Sequence, residues 1–239
     1  MDLIEINLQD KSKETLVKET LRGFVIDEEK LKKLKIIFES ELELGLKDGL
    51  KKSSLQMENT YIPFVSLPEK LEGSYLALDL GGTNFRVMFL EISKGKIVNE
   101  VVEYYSVQEA IRLGYGKDLF DFLAECISDF VNEKLKIDTK SKSAKKLTLG
   151  FTFSFPMIQH GLNVGILVNW TKSFNASGVV GQDAVKMLNE AIKRRNDLEV
   201  DVVAILNDTT GTLIKGIFLC TYPKLELVKI FETTRLTLK

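Results

Sequence analysis

The stretch "YLALDLGGTNFRVMFLEIS", residues 75–93, most constrains what this chain can fold into. An alternating apolar run leads into Asp79, breaks at Gly81-Gly82, and resumes as a second alternating run from Asn84. Period-two hydrophobicity on both sides of a glycine pair predicts strand, turn, strand, because successive strand side chains face opposite ways. An ordinary hairpin fits this pattern, and so does a phosphate-binding turn. The rest of the chain has to separate the two.

A third alternating run, 96–107, follows the turn Ser93-Lys94-Gly95 and predicts an antiparallel three-stranded meander. The segment 118–135 then places Leu119, Phe122, Leu123, Cys126, Ile127, Phe130 and Val131 on one helical stripe. A strand is expected at 146–155, a helix at 183–195, and a buried parallel strand at 200–208, where "VDVVAILND" is continuously apolar up to two polar residues. This order predicts an α/β fold with a mixed sheet and helices packed on it. Upstream, Leu31, Leu34, Phe38, Leu42 and Leu46 space an amphipathic helix over 27–48, with a shorter helix at 15–24 before it. Pro63 and Pro68 bracket an extended connection that reads as a domain junction.

Charge narrows the function. With 33 Lys+Arg against 34 Asp+Glu and a net charge of −1, the chain lacks the basic excess of a nucleic-acid or membrane-surface binder. The longest uncharged stretch, 147–171, is interrupted by Thr, Ser, Gln, His, Asn, Gly and Pro, so no membrane span is expected. Cys126 and Cys220 read as free thiols, and the acidic N-terminal residues are unlike an export signal, so a cytoplasmic setting is expected. His160 reads as a loop residue, and the Ser- and Lys-rich 138–146 as a solvated loop. Oligomeric state is not legible here.

Four short segments carry the candidate chemistry. In "DLGGTN" the backbone amides of Gly81 and Gly82 and the side chains of Thr83 and Asn84 are the ingredients of an anion cradle. The segment is neither the dinucleotide fingerprint nor the Walker loop. Asp79 beside a polyphosphate would repel it unless Mg²⁺ or its bound water lay between. Ser154 ends a strand in "GFTFSFPMIQ"; Asn169, Trp170, Thr171 and Lys172 cluster in "LVNWTKSFNASG"; and Asn207 and Asp208 end the strand in "ILNDTTGTL". Singly these read as a strand terminator, a polar loop around one buried Trp, and a helix cap. Together they supply hydrogen-bonding groups for a polyhydroxylated ligand, with a carboxylate left over as base.

These four motifs, in this order, resemble the N-terminal half of the eukaryotic hexokinase/glucokinase family over roughly residues 15–218. The resemblance implies an actin-like, ribonuclease-H-like ATPase fold of two lobes, and ATP- and Mg²⁺-dependent phosphorylation of glucose or a related hexose at the 6-hydroxyl. Carried over position by position, it implies hexose contacts from Ser154, Thr171, Lys172, Asn207 and Asp208, with Asp208 the general base. It likewise implies that Lys172 counters charge on the transferred phosphoryl group and that Asp79 holds Mg²⁺ through water. Gly81, Gly82, Thr83 and Asn84 would contact ATP phosphates, with Arg86 in the same signature. On this pattern 1–66 is the helical start of a large lobe, 67–205 a complete small lobe, and 206–218 the large lobe's resumption. The segment 219–239 has no glycine and departs from the family, whose second phosphate loop is glycine-rich, so it reads as an alternative ending to a truncated large lobe. One reactant wall would then be missing, and weak or no turnover is expected, because catalysis by positioning needs both reactants fixed. The competing expectation is a non-catalytic hexose-binding or regulatory fragment.

Overall fold

Alternation in the first strand becomes one-sided burial in the computed structural model, which describes residues 9–48, 51–55, 57–61, 71–82, 84–140 and 147–219. The described chain divides at residues 57 and 58 into two units.

The first unit holds helices α1 (Lys11–Arg22) and α2 (Glu28–Asp48). Asp10 caps α1 by accepting the amides of Ser12 and Lys13, and Glu14 in its first turn pairs with Lys11 and Lys18. Glu41 on α2 gathers the Ser53 hydroxyl and the Ser54 amide, which folds the following segment back onto the helix. Gly45 permits that return, since a Cβ there would lie 2.6 Å from the Leu55 carbonyl oxygen. The anticipated apolar stripe of α2 is present, but Leu31, Leu34 and Phe38 are exposed.

In the second unit, β1 (Gly73–Leu80), β2 (Asn84–Ser93) and β3 (Lys96–Ser106) form the anticipated meander. Two parallel strands, β4 (Leu147–Phe153) and β7 (Val200–Leu206), extend it on the β1 side, giving the order β3-β2-β1-β4-β7. Leu76, Leu78 and Leu80 of β1, Phe85, Val87 and Phe89 of β2, and Leu149, Phe151 and Phe153 of β4 supply the buried face. Helices α4 (Gly116–Ser128) and α5 (Ala184–Arg195) add Leu119, Phe120, Leu123, Ile127, Leu188 and Ile192 to the same core. A four-residue helix, α3 (Glu109–Arg112), precedes α4.

Several details depart from the sequence expectations. The helix anticipated over 118–135 widens into a π-helical turn at Asp129–Lys134, where the Leu135 amide reaches back to the Phe130 carbonyl. Inside that turn Asn132 donates to the Ser128 hydroxyl and the Asp197 carbonyl, a tie to the chain beyond α5 that competes with regular helical pitch. The strand ending near Leu206 is parallel, as expected, but it lies at the sheet edge with Val203 exposed rather than buried on both faces. Residues anticipated as loop form a hairpin of β5 (Met157–Gly161) and β6 (Val164–Leu167), so His160 is a strand residue. The hairpin leans on β7: the Ile205 amide donates to the Leu162 carbonyl, and buried Gln159 donates to the Ile205 carbonyl at 2.6 Å. The final described helix, α6, runs Asp208–Leu219. Pro63, Pro68, most of 138–146, Cys220 and the 220–239 tail lie outside the described residues.

Candidate active site at the carboxyl edge of the sheet

Strands β1, β4 and β7 run parallel to one another, so their carboxyl ends reach one edge, the edge at which open α/β sheets hold ligands. Register sets the levels. Asp79 is opposite Thr152 on β4 and Arg86 on β2, and Thr152 is opposite Leu206 on β7. Just past these positions come Gly81-Gly82, Ser154, and Asn207-Asp208. The Ser154 amide donates to the Leu80 carbonyl at 3.3 Å, which stitches the first two strand ends together.

At the end of β1, one oxygen of Asp79 (Oδ2) is taken by the Arg86 guanidinium. The other, Oδ1, is buried and has no partner among the described residues. A buried carboxylate oxygen left in this state is the kind of orphan an ion or an ordered water satisfies. No group of three or more His, Cys, Asp or Glu able to hold a metal occurs among the described residues. A divalent cation here would therefore rest on one carboxylate together with phosphate and water oxygens, the arrangement Mg²⁺ favours. The donor set fits the ion.

The glycine pair is also informative. Neither Gly81 nor Gly82 has the positive φ that would demand glycine, so backbone conformation does not account for the pair. A Cβ on Gly82 would meet nothing within 4 Å, and one on Gly81 only the Asn84 carbonyl oxygen at 3.8 Å. The fold tolerates side chains here, and their absence leaves bare backbone open to a close ligand. One refinement is needed: the Gly81 amide closes the turn onto the Asn84 carbonyl at 3.3 Å, so it is engaged rather than free. Thr83 lies outside the described residues.

At the end of β7 the helix cap is Asn207, whose Oδ1 accepts the Thr209 amide at 3.0 Å while its carbonyl accepts the Gly211 amide. Asp208 is thus not the cap that the sequence allowed. Its carboxylate instead receives Lys172 Nζ at 3.4 Å, and the buried Ser154 hydroxyl lies near enough to favour its charged form. Burial works to raise the Asp208 carboxyl, but the Ser154 hydroxyl, the Lys172 ammonium and the Thr209 amide hold it below its ordinary value. The group is ionised at neutral pH.

Lys172 reaches this position from an unusual turn: Lys172 and Ser173 have φ of 54° and 67°, consecutive left-handed conformations on non-glycine residues. Beneath the turn sits an aromatic cluster. Trp170 stacks on Phe174 at 5.4 Å and meets Phe155 edge-on at 4.7 Å, and its indole N–H donates to the Ala176 carbonyl. The Lys172 ammonium lies 6.0 Å from the Phe155 ring centroid, within cation–π range. Of the sequence candidates, the structure pairs Lys172 with Asp208 near Ser154 and pairs Asp79 with Arg86. Thr171 and Asn169 flank the cluster, with Asn169 turned to the Trp170 carbonyl. Sequence reading missed Gln159, which holds β7, and Arg112, whose side chain meets Ser173 across 61 residues. No local signal marks either; both act through contacts distant in sequence.

A five-stranded sheet with this topology, a bare-backbone turn beside a carboxylate, and a second carboxylate two strands away on the same edge define an α/β class built like actin-type ATPases. Within that class the chain belongs to the hexokinase family, whose model matches residues 16–218. It is 45% identical to rat Hexokinase-3 over 202 residues, covering 83% of this chain and 20% of that protein. Against human Hexokinase-3 it is 42% identical over 221 residues, or 91% of this chain and 22% of the relative. The solved hexokinase from Schistosoma mansoni complexed with glucose superposes with a TM-score of 0.73 at 36% identity, covering 86% of this chain and 45% of that one. The chain therefore spans about a fifth of the length of these curated relatives and under half of the solved chain.

Proposed function

We propose that the chain carries the phosphoryl-acceptor half-site of an ATP-dependent hexokinase acting on the 6-hydroxyl of glucose or a related hexose. The observation that supports this best is the Asp208 carboxylate, ionised, paired with Lys172 near Ser154, and on the same sheet edge as the Asp79–Gly82 turn. A carboxylate so placed accepts the proton of a primary hydroxyl as its oxygen attacks the terminal phosphorus of ATP; the phosphoryl group passes to the sugar and ADP leaves. Ser154, Thr171, Lys172 and Asn207 hold the hexose, and Lys172 opposes charge developing on the transferred group. Gly82, Thr83 and Asn84 would contact the ATP phosphates, with Gly81 closing their turn and Arg86 holding Asp79, which would bind Mg²⁺ through water; the ion, when bound, neutralises phosphate charge. In this reading residues 67–205 form the small lobe, with 1–66 and 206–218 belonging to a large lobe. Cys126, a buried free thiol, supports a reducing, cytosolic setting, where hexose phosphorylation would open glycolysis.

A second reading, a hexose-binding or regulatory chain without turnover of its own, draws on the same Lys172–Asp208 cluster, whose polar groups can hold a polyhydroxylated ligand without transfer. Glucose-dependent ADP release by the 239-residue chain, beside Asp208→Ala, decides between them. Release that disappears in the variant supports the kinase reading. Glucose binding without release supports the second, and absence of both sinks the two together.

A further inference from the structure

We propose that Arg112 is a positioning residue, tying the Lys172–Ser173 turn to the segment that begins at α3 so that the Lys172 ammonium stands beside Asp208. The inference deepens the kinase reading and rests on it for its purpose, but its test needs no turnover.

The turn has an intrinsic reason to relax. Two successive L-residues at φ 54° and 67° occupy a region that side chains enter only at a cost, so surrounding contacts must hold them there. Arg112 supplies such contacts from a fixed base. Its Nε donates to the Val107 carbonyl at 3.1 Å, which anchors the guanidinium to its own segment. Its Nη1 then donates to both oxygens of Ser173, the carbonyl at 3.0 Å and the hydroxyl at 2.6 Å. A planar fork bridging two segments in this way is a task a lysine ammonium cannot reproduce. The Arg112 carbonyl is used too, accepting the Asn175 amide at 2.9 Å.

The base itself is rigid. The Ser177 amide donates to the Gly114 carbonyl at 2.9 Å, and the Gly116 amide returns the bond to the Ser177 carbonyl at 2.8 Å. Gly116 allows the approach, since a Cβ there would fall 2.2 Å from Val179 Cγ2. Residues 107–116 thus form a splint along 173–177, and Arg112 is the tie next to Lys172. Other restraints near the turn are the Phe174 amide bond to the Thr171 carbonyl, the packing of Phe174 on Trp170 and Phe155, and the Lys172–Asp208 pair itself.

The test reads Lys172 directly. Its side chain is 42% exposed, so its amine is open to acylation, and pairing with Asp208 slows that reaction. Site-resolved acylation rates, followed by mass spectrometry at neutral pH, are compared for wild type, Asp208→Asn, Arg112→Met and the double variant. Arg112→Met should accelerate labelling at Lys172 severalfold and leave distant lysines unchanged, as Asp208→Asn does. In the double variant no further acceleration is expected, because both changes remove one and the same contact. Adding Ser173→Gly to Arg112→Met should slow labelling part of the way back, since glycine enters the left-handed region without a side-chain penalty. If Arg112→Met does not fold, Arg112→Lys keeps the charge and stem, loses the fork, and should show the same selective acceleration. Unchanged Lys172 labelling in a folded Arg112 variant, additive effects in the double variant, or failure of Ser173→Gly to rescue would each overturn the proposal. A chain with no kinase activity that shows the selective acceleration and its rescue would leave the proposal standing and sink only the catalytic reading.

Discussion

Substituting Gly82 by alanine separates what the fold needs from what the ligand needs. A Cβ at Gly82 meets no atom within 4 Å, and its φ is not positive, so the native backbone accepts alanine without strain. Alanine also narrows the unfolded ensemble, which stabilises the native state by about 0.4–1 kcal/mol. For a chain of this size that is a rise in Tm of about 1–4 °C. The same methyl group fills the space through which phosphate oxygens would approach the bare backbone. Losing one charge-assisted hydrogen bond there costs about 1.5–3 kcal/mol, and at roughly 1.4 kcal/mol per decade the affinity for Mg²⁺-ATP falls about 10- to 100-fold. Gly116→Ala supplies the contrast: its Cβ would lie 2.2 Å from Val179 Cγ2 and 2.9 Å from the Ser177 carbonyl oxygen. Overpacking of that kind costs about 1–3 kcal/mol and should lower Tm. Thermal unfolding and calorimetric titration with Mg²⁺-ATP measure both quantities on the same samples. A Tm for Gly82→Ala several degrees below wild type would refute the argument from open space. Unaltered Mg²⁺-ATP affinity would refute the cradle.

Two further predictions concern titration. Asp121, Asp197 and Asp208 all sit below the ordinary carboxylate value of 3.8, despite burial acting to raise them. The opposing partners are Lys117 and Arg194 for Asp121, and Arg195 and Ser128 for Asp197. A depressed folded value means the unfolded chain binds protons first, so their stabilisation is complete above 3.8 and disappears as pH falls below it through the folded values. Chemical unfolding with Asp197→Asn beside wild type should show a gap that is constant from neutrality to about pH 5 and closes in stronger acid; a gap that widens in acid contradicts the sign. Burial, the largest influence, together with the Asp129 and Glu125 carboxylates, pushes the Cys126 thiol up to about 12. It should resist alkylation in the folded chain at mildly alkaline pH and react once the chain is denatured, as peptide mass mapping would show; rapid labelling of the native chain would argue against the packed α4 face.

The legible part of this protein is what neighbouring residues dictate to one another. Alternation forces β1, β2 and β3 to present one apolar face, the stripe around Leu123 forces a core-facing helix, and the glycine pair after Asp79 announces a turn with exposed backbone. Candidate residues were legible for the same reason, since Ser154 and Asp208 stand where apolar runs stop. Their assignment was not. That Asn207 rather than Asp208 caps α6 depends on the Ser154 hydroxyl and Lys172 ammonium claiming the Asp208 carboxylate, and both arrive from other strands and loops. The β5–β6 hairpin was hidden because strands of five and four residues are too short to show a period of their own and form by leaning on β7 through Gln159 and Ile205. The left-handed turn at Lys172 and Ser173 has no sequence mark, because it persists through a guanidinium 61 residues away. Local periodicity determines elements, since it acts through adjacent side chains. Placement of a reactive carboxylate and its counter-charge is a long-range balance of burial against hydrogen bonds, and only the assembled sheet edge decides it.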